Sequence, residues 1–110
     1  MRVTLPKFLP NVGYGHVYLV RGFHRLPDGR TLDAEPLHPG MELDLPEGSV
    51  VVYLETFPLG CRLGRTGACQ LRVYQISVDG PRLAHCSGRL PGHIDWVAAI
   101  EPVVRTLLTS

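Results

Sequence analysis

Residues 41–57 read MELDLPEGSVVVYLETF, and how this stretch folds decides the class of the whole chain. Met41, Leu43 and Leu45 alternate with Glu42 and Asp44, the period of two that gives a strand one dry and one wet face. Pro46-Glu47-Gly48-Ser49 has turn chemistry, since proline sets φ and glycine accepts φ > 0 without a clash. Residues 50–57 are then β-branched and aromatic with one charge, Glu55, as expected of a strand covered on most of its length. The stretch reads as a hairpin whose second half is the central strand of a sheet.

Upstream, residues 2–5 form a short edge strand ended by Pro6, and residues 6–15, with Pro6, Pro10, Asn11, Gly13 and Gly15, form a loop that turns more than once. Residues 16–24, HVYLVRGFH, carry apolar groups at both parities, Val17, Leu19 and Phe23 against Tyr18 and Val20. This predicts a strand covered on both sides for part of its length. Leu26-Pro27-Asp28-Gly29-Arg30 is a turn, and residues 31–37 return as the hairpin partner.

Downstream, residues 58–69, PLGCRLGRTGAC, form the least regular segment. Residues 70–78 resume strand character, but the apolar set moves from Leu71 and Val73 to Tyr74, Ile76 and Val78. A β-bulge near Val73 would exchange the faces in this way. Asp79-Gly80 is a hairpin dipeptide, and Pro81 suits the start of an edge strand over residues 82–87. After Pro91-Gly92 the period lengthens: Trp96, Val97, Ile100, Val103, Val104, Leu107 and Leu108 make the apolar face of a helix with Asp95 as its N-cap. Pro102 inside that helix costs roughly 3 kcal/mol, so a kink or a second helix starting there is expected.

The expected architecture is mainly β (α+β) and a single domain over residues 1–110. Residues 1–90 form an antiparallel sheet of about six or seven short strands, strongly curved or closed into a small barrel, and residues 91–110 form a C-terminal helical segment. A chain of 110 residues has material for one core. The net charge of +1 gives no electrostatic case for nucleic acid, whose phosphates call for a clearly basic face. Ten arginines stand against one lysine, Lys7, although lysine is the usual guard of an exposed sheet edge. Protection by proline, by closure or by pairing with another copy is therefore expected, and a homo-oligomer, most simply a homodimer, follows. Cys61, Cys69 and Cys86 are an odd set without disulfide-framework spacing, no signal-peptide apolar region follows Met1, and no apolar run is long enough to span a bilayer. A reduced, cytoplasmic protein without a membrane partner is the expectation.

Several groups of residues could carry chemistry. Gly60, Gly64 and Gly67 allow close backbone approach to a ligand, and Arg62 and Arg65 offer forked donors to a phosphate or carboxylate, although neither a P-loop nor a dinucleotide fingerprint is present. The thiols lack zinc spacing, and His85 and Cys86, adjacent on a strand, face opposite ways unless the strand bulges there. Arg21 and Arg25 have the spacing of the Arg-x-x-x-Arg element of PilZ-like nucleotide-binding barrels, but the Asp/Asn-x-Ser-x-x-Gly partner is missing, so that family is not carried over. Tyr53 and Tyr74, with other aromatics, could line an apolar pocket with hydroxyl handles. The resulting expectation is a non-catalytic binding module for a small ligand or a protein partner, the ligand anionic or apolar, using a cavity or face of the sheet. Its candidate contacts are Arg62, Arg65, Tyr53, Tyr74 and His85, and no cofactor or metal is called for. The alternatives are a small enzyme with a histidine acid/base and Arg62 or Arg65 holding an anionic substrate, or a purely structural assembly subunit.

Overall fold

A computed structural model describes residues 1–8, 14–23, 32–57, 68–91 and 94–109. Among them are seven strands and one helix: β1 (Arg2–Thr4), β2 (Tyr14–Phe23), β3 (Leu32–Leu37), β4 (Glu42–Asp44), β5 (Val50–Phe57), β6 (Ala68–Ser77), β7 (Gly80–Pro91) and α1 (Trp96–Thr109). Every pairing is antiparallel, so the chain is mainly β with a C-terminal helix. Five strands form one sheet in the order β3-β2-β5-β6-β7, and β1 and β4 form a separate two-stranded ribbon.

β5 is the middle strand, as its sequence predicts, and the reason lies in how it buries both parities. Val50, Val51, Val52 and Tyr53 all have no exposed surface. Val51 and Tyr53 pack with Val3, Leu5, Val17, Leu19, Leu45, Tyr74 and Ile76 on the face that carries the β1–β4 ribbon. Val50 and Val52 pack with Val20, Leu32, Leu71, Val73 and the helical Val97, Ile100 and Val104 on the other face. Each fully buried side chain of this kind contributes roughly 1.5–3 kcal/mol of transfer free energy. The result is three layers, ribbon, sheet and helix, with a core on either side of β5.

The hairpin expected over residues 41–57 is corrected. The turn forms, with the Ser49 amide donating to the Pro46 carbonyl at 3.1 Å, but β4 pairs with β1 and not with β5. Backbone bonds from Leu5 to Met41 and from Leu45 to Met1, both 2.9 Å, extend the ribbon past its ends. Residues 46–49 therefore carry the chain from one layer to the other, where Gly48 and Ser49 join the edge of the β5–β6 ladder through Ile76.

The expected closed or strongly curved sheet is also corrected: the five-stranded sheet neither closes nor curls strongly, and β3 and β7 are its edges. Each edge carries a guard other than lysine. β3 is six residues long and contains Pro36, Asp33 and Glu35, the last paired with Arg21 of β2. β7 carries Arg82 and Arg89 and two register shifts against β6, and bulges of this kind spoil an edge as a template. The described edges of this open sheet thus carry guards that do not depend on barrel closure.

Those shifts explain the phase change read along residues 70–78. β6 runs in unbroken register with β5, so β6 itself does not bulge. The extra residues sit in β7, Ala84 opposite the Val73–Tyr74 step and the Ser87–Gly88 pair opposite Leu71. Gly88 takes φ +71°, and the Ser87 hydroxyl accepts the Leu71 amide at 2.9 Å, replacing the ladder bond that the second bulge removes. The apolar set changes parity because both faces of β6 are buried: Leu71 and Val73 face the helix, and Tyr74 and Ile76 face the ribbon.

Asp95 caps α1 as expected, its Oδ1 accepting the Ala98 amide at 3.2 Å. The helix then continues through Pro102 as one element, neither ending nor restarting there. Pro102 is exposed, and so is Ala98, whose carbonyl loses the bond that the proline nitrogen cannot donate, so water can satisfy it. No helix among the described residues is long and apolar enough to cross a membrane.

Candidate functional site

Two features stand out, one on each face of the sheet. On the ribbon face, β5 presents Tyr53 and Glu55, and β6 presents Arg72 and Tyr74. Tyr53 lies directly opposite Arg72 in the register, so the guanidinium reaches diagonally. Arg72 Nε donates to Glu55 Oε1 and Nη1 donates to the Tyr74 hydroxyl oxygen. The guanidinium carbon sits 5.0 Å from the Tyr53 ring centre and 5.3 Å from that of Tyr74, within cation–π range of both. The two tyrosine rings meet edge to face at 5.1 Å. Glu55 and Arg72 are the buried charged residues of the described core, and each keeps one buried atom without a partner, Glu55 Oε2 and Arg72 Nη2.

Residues 5–8 cover the outer side of this cluster. The Tyr53 hydroxyl donates to the Pro6 carbonyl, and the Phe8 ring packs edge-on against Tyr53 at 5.4 Å. Gly15 makes the space: a Cβ there would lie 2.4 Å from the Leu54 carbonyl oxygen and 2.6 Å from the Phe8 ring. Burial pushes the Tyr53 phenol far above its ordinary value, with Tyr74 adding and Arg72 opposing, and burial likewise raises Tyr74. These hydroxyls stay protonated and serve as structural donors and acceptors.

On the helix face, the β2–β3 ribbon meets the first turn of α1. Tyr18 of β2 stacks on Trp96 with ring centres 4.9 Å apart and planes 14° from parallel. Beside the stack is a cleft of about 280 Å³ lined by Tyr18, Leu32, Asp33, Ala34, Pro36, Trp96 and Val97. Leu32 and Val97 are buried and belong to the core beneath the helix, whereas Tyr18, Asp33, Ala34 and Trp96 are half-buried. The volume is close to the lower end of small-molecule sites, roughly 300–1,000 Å³.

The residues singled out in the sequence are only partly brought together. Tyr53 and Tyr74 are in contact, in the buried cluster. His85 pairs with Val73 and so lies on the helix face, away from them. Cys86 pairs with Arg72 in the next rung without a shift between, which places His85 and Cys86 on opposite faces. Arg62, Arg65 and the glycines of that loop lie outside the described residues, as do His24, Arg25, Cys61 and His93. Among the described residues no group of three or more His, Cys, Asp or Glu is placed to hold a metal ion.

Glu55, Arg72 and the Tyr18–Trp96 cleft were not found from the sequence. For the pair a signal existed: a charge in a strand covered on both faces needs a buried counter-charge. No protein-family model, curated protein or solved structure matches this chain.

Proposed function

We propose that this chain is a non-catalytic binding module that takes a compact small ligand in the cleft between β3 and the start of α1. The observation that supports this reading is the cleft itself, about 280 Å³ beside the parallel Tyr18–Trp96 stack. The cleft wall mixes polar surface with the apolar groups of Leu32, Ala34 and Val97 beside the stack, so a ligand seated there can both hydrogen-bond and displace water from apolar surface. Sheet and helix hold the two rings from different elements, so the site is preformed and a ligand need not order it.

Trp96 is the chain's one tryptophan, so its emission reports on this cleft alone. The test is a screen of small apolar, cationic and anionic compounds by Trp96 fluorescence and thermal shift, repeated on an Ala34→Leu variant that fills the cleft from the edge strand. A ligand at a hundred times its dissociation constant stabilises the fold by about 2.7 kcal/mol, which a thermal shift resolves. Binding in the wild type that is lost in Ala34→Leu, with the variant as stable as its parent, supports the reading. Compounds that shift the melting temperature equally in both proteins place the site elsewhere.

A further inference from the structure

The two layers packed on the five-stranded sheet differ in what holds them. α1 has fourteen residues, and its Val97, Ile100 and Val104 pack into a hydrophobic cluster with Val50, Val52 and Val73. The β1–β4 ribbon has three residues in each strand and makes no ladder pairing with the sheet. Among the described residues, one hydrogen bond crosses from the ribbon and its extension through residue 8 to a strand of the sheet, from the Tyr53 hydroxyl to the Pro6 carbonyl. Glu55 and Arg72, the buried charged residues of the described core, lie on this same face, with Oε2 and Nη2 lacking partners while it is covered. Water reaching those atoms offsets part of the apolar cost of uncovering the face, an offset that the hydrophobic cluster under the helix cannot supply.

The ribbon is also tied to itself. Arg2 pairs with Glu42 at 2.9 Å and with Asp44 at 3.5 Å, and the Met1 amine donates to the Leu45 carbonyl at 2.9 Å, so β1 and β4 are joined beyond their ladder. A turn lies at each end of β4, and in each a glycine holds φ in the left-handed region, Gly40 at +76° and Gly48 at +92°. Glycine turns at the ends of an element can absorb the backbone rotation of a hinge. We propose that the β1–β4 ribbon is a hinged cover that lifts from the sheet as one unit, exposing the face of Tyr53, Arg72 and Tyr74 while the sheet and α1 stay folded around the other core. So short a ribbon is not stable alone, so its cross-strand bonds break when it lifts.

Native-state hydrogen exchange of the full chain reads this opening. The amides of Leu5 and Leu45, which donate to the Met41 and Met1 carbonyls, report on the ribbon, and those of Val51 and Tyr53 report on the middle strand. Leu5 and Leu45 should lose protection together, at least about tenfold faster than the β5 amides and with a weaker dependence on urea. Tyr53→Phe should speed their exchange about fivefold, because lifting breaks the crossing bond. Ribbon amides that exchange at the β5 rate, with the β5 dependence on urea, open only in global unfolding, and the proposal is then overturned. Ribbon amides that exchange faster but are indifferent to Tyr53→Phe fray in place without lifting, which overturns it equally. In the Glu55→Leu/Arg72→Met double variant the ribbon amides should slow about tenfold, and an unchanged rate overturns the part given to the buried pair.

Discussion

Replacing the buried ion pair one partner at a time and then together tests the reasoning about the ribbon-side core. The Glu55 side chain has no exposed surface and that of Arg72 is 6 % exposed, so removing either partner strands the other in a medium that cannot solvate it. Arg72→Met keeps most of the stem, but leaves Glu55 without its donor and Tyr74 without its bond; Glu55→Leu leaves the guanidinium uncompensated. Each single change should cost about 3–5 kcal/mol, the range for breaking a buried pair. The double variant should be neutral or more stable by about 1–4 kcal/mol, because the desolvation of both ions disappears together with their attraction. The unpartnered Oε2 and Nη2 push in the same direction, since an unsatisfied buried atom costs about 1–3 kcal/mol.

Urea denaturation followed by circular dichroism measures this as a change in midpoint at constant slope. With a total stability of about 5–15 kcal/mol for domains of this kind, the loss in either single variant is enough to unfold a chain at the lower end of that range, whereas the double must still fold, and that contrast decides the matter. Arg21→Ala serves as the control, because its pair with Glu35 is exposed and should be worth about 0.2–1 kcal/mol. The reasoning fails if both single variants behave like that control, or if the double loses as much as the two singles combined.

Gly15→Ala should destabilise the chain by about 1–3 kcal/mol, because its methyl would meet the Leu54 carbonyl and the Phe8 ring; paired with Phe8→Ala, most of the ring clash but none of the backbone clash is relieved. Asp95→Ala should cost about 1 kcal/mol in a thermal melt through loss of the N-cap bond to Ala98, and Asp95→Asn should restore most of it. Stability should fall at alkaline pH: burial raises Tyr53 and Tyr74 above their unfolded value of about 10, so their contribution is complete below that pH and is lost as pH rises through the folded values. Tyr53→Phe should flatten this fall in a pH series of urea midpoints, and an unchanged slope would show that the phenol is not the group responsible.

How much could be read from the sequence depended on whether the signal was local. β5 was legible because Val50, Val51, Val52 and Tyr53 are a β-branched and aromatic run bounded by turn residues, the composition of a strand covered on both sides. The cap at Asp95 and the apolar stripe Val97, Ile100, Val104 were legible because each is set within one or two turns of helix. The partner of β4 was not, since β1 lies far upstream and alternation in residues 41–45 reports a wet face without naming which strand pairs with it. The bulge was placed on the wrong strand for a related reason: a parity change in β6 means either an inserted residue or burial of both faces, and only the register with β5 separates the two. Glu55, a charge in a covered strand, signals a buried counter-charge, but Arg72 resembles an ordinary charge on a wet face until the register sets it diagonally across from Glu55. The cleft needs Tyr18 and Trp96, which only the packing of α1 on the sheet brings together.

The proposal of binding rather than catalysis draws on the same geometry among the described residues. A nucleophile must be reachable and easily deprotonated, yet burial raises the Cys69 thiol and the Tyr53 and Tyr74 phenols, each held in its protonated form at neutral pH. Cys86, the exposed thiol among the described residues, has its sequence neighbour His85 on the far side of the sheet, and the bulges that could have turned that imidazole around fall at Ala84 and at Ser87–Gly88, on either side of the pair and not between its members. An added residue between His85 and Cys86 would place both on one face, so a single insertion there is the smallest change that could give this sheet a thiol and its base. Without it, the strand separates them by its pleat, and the cleft at the opposite edge is the surface proposed above for a ligand.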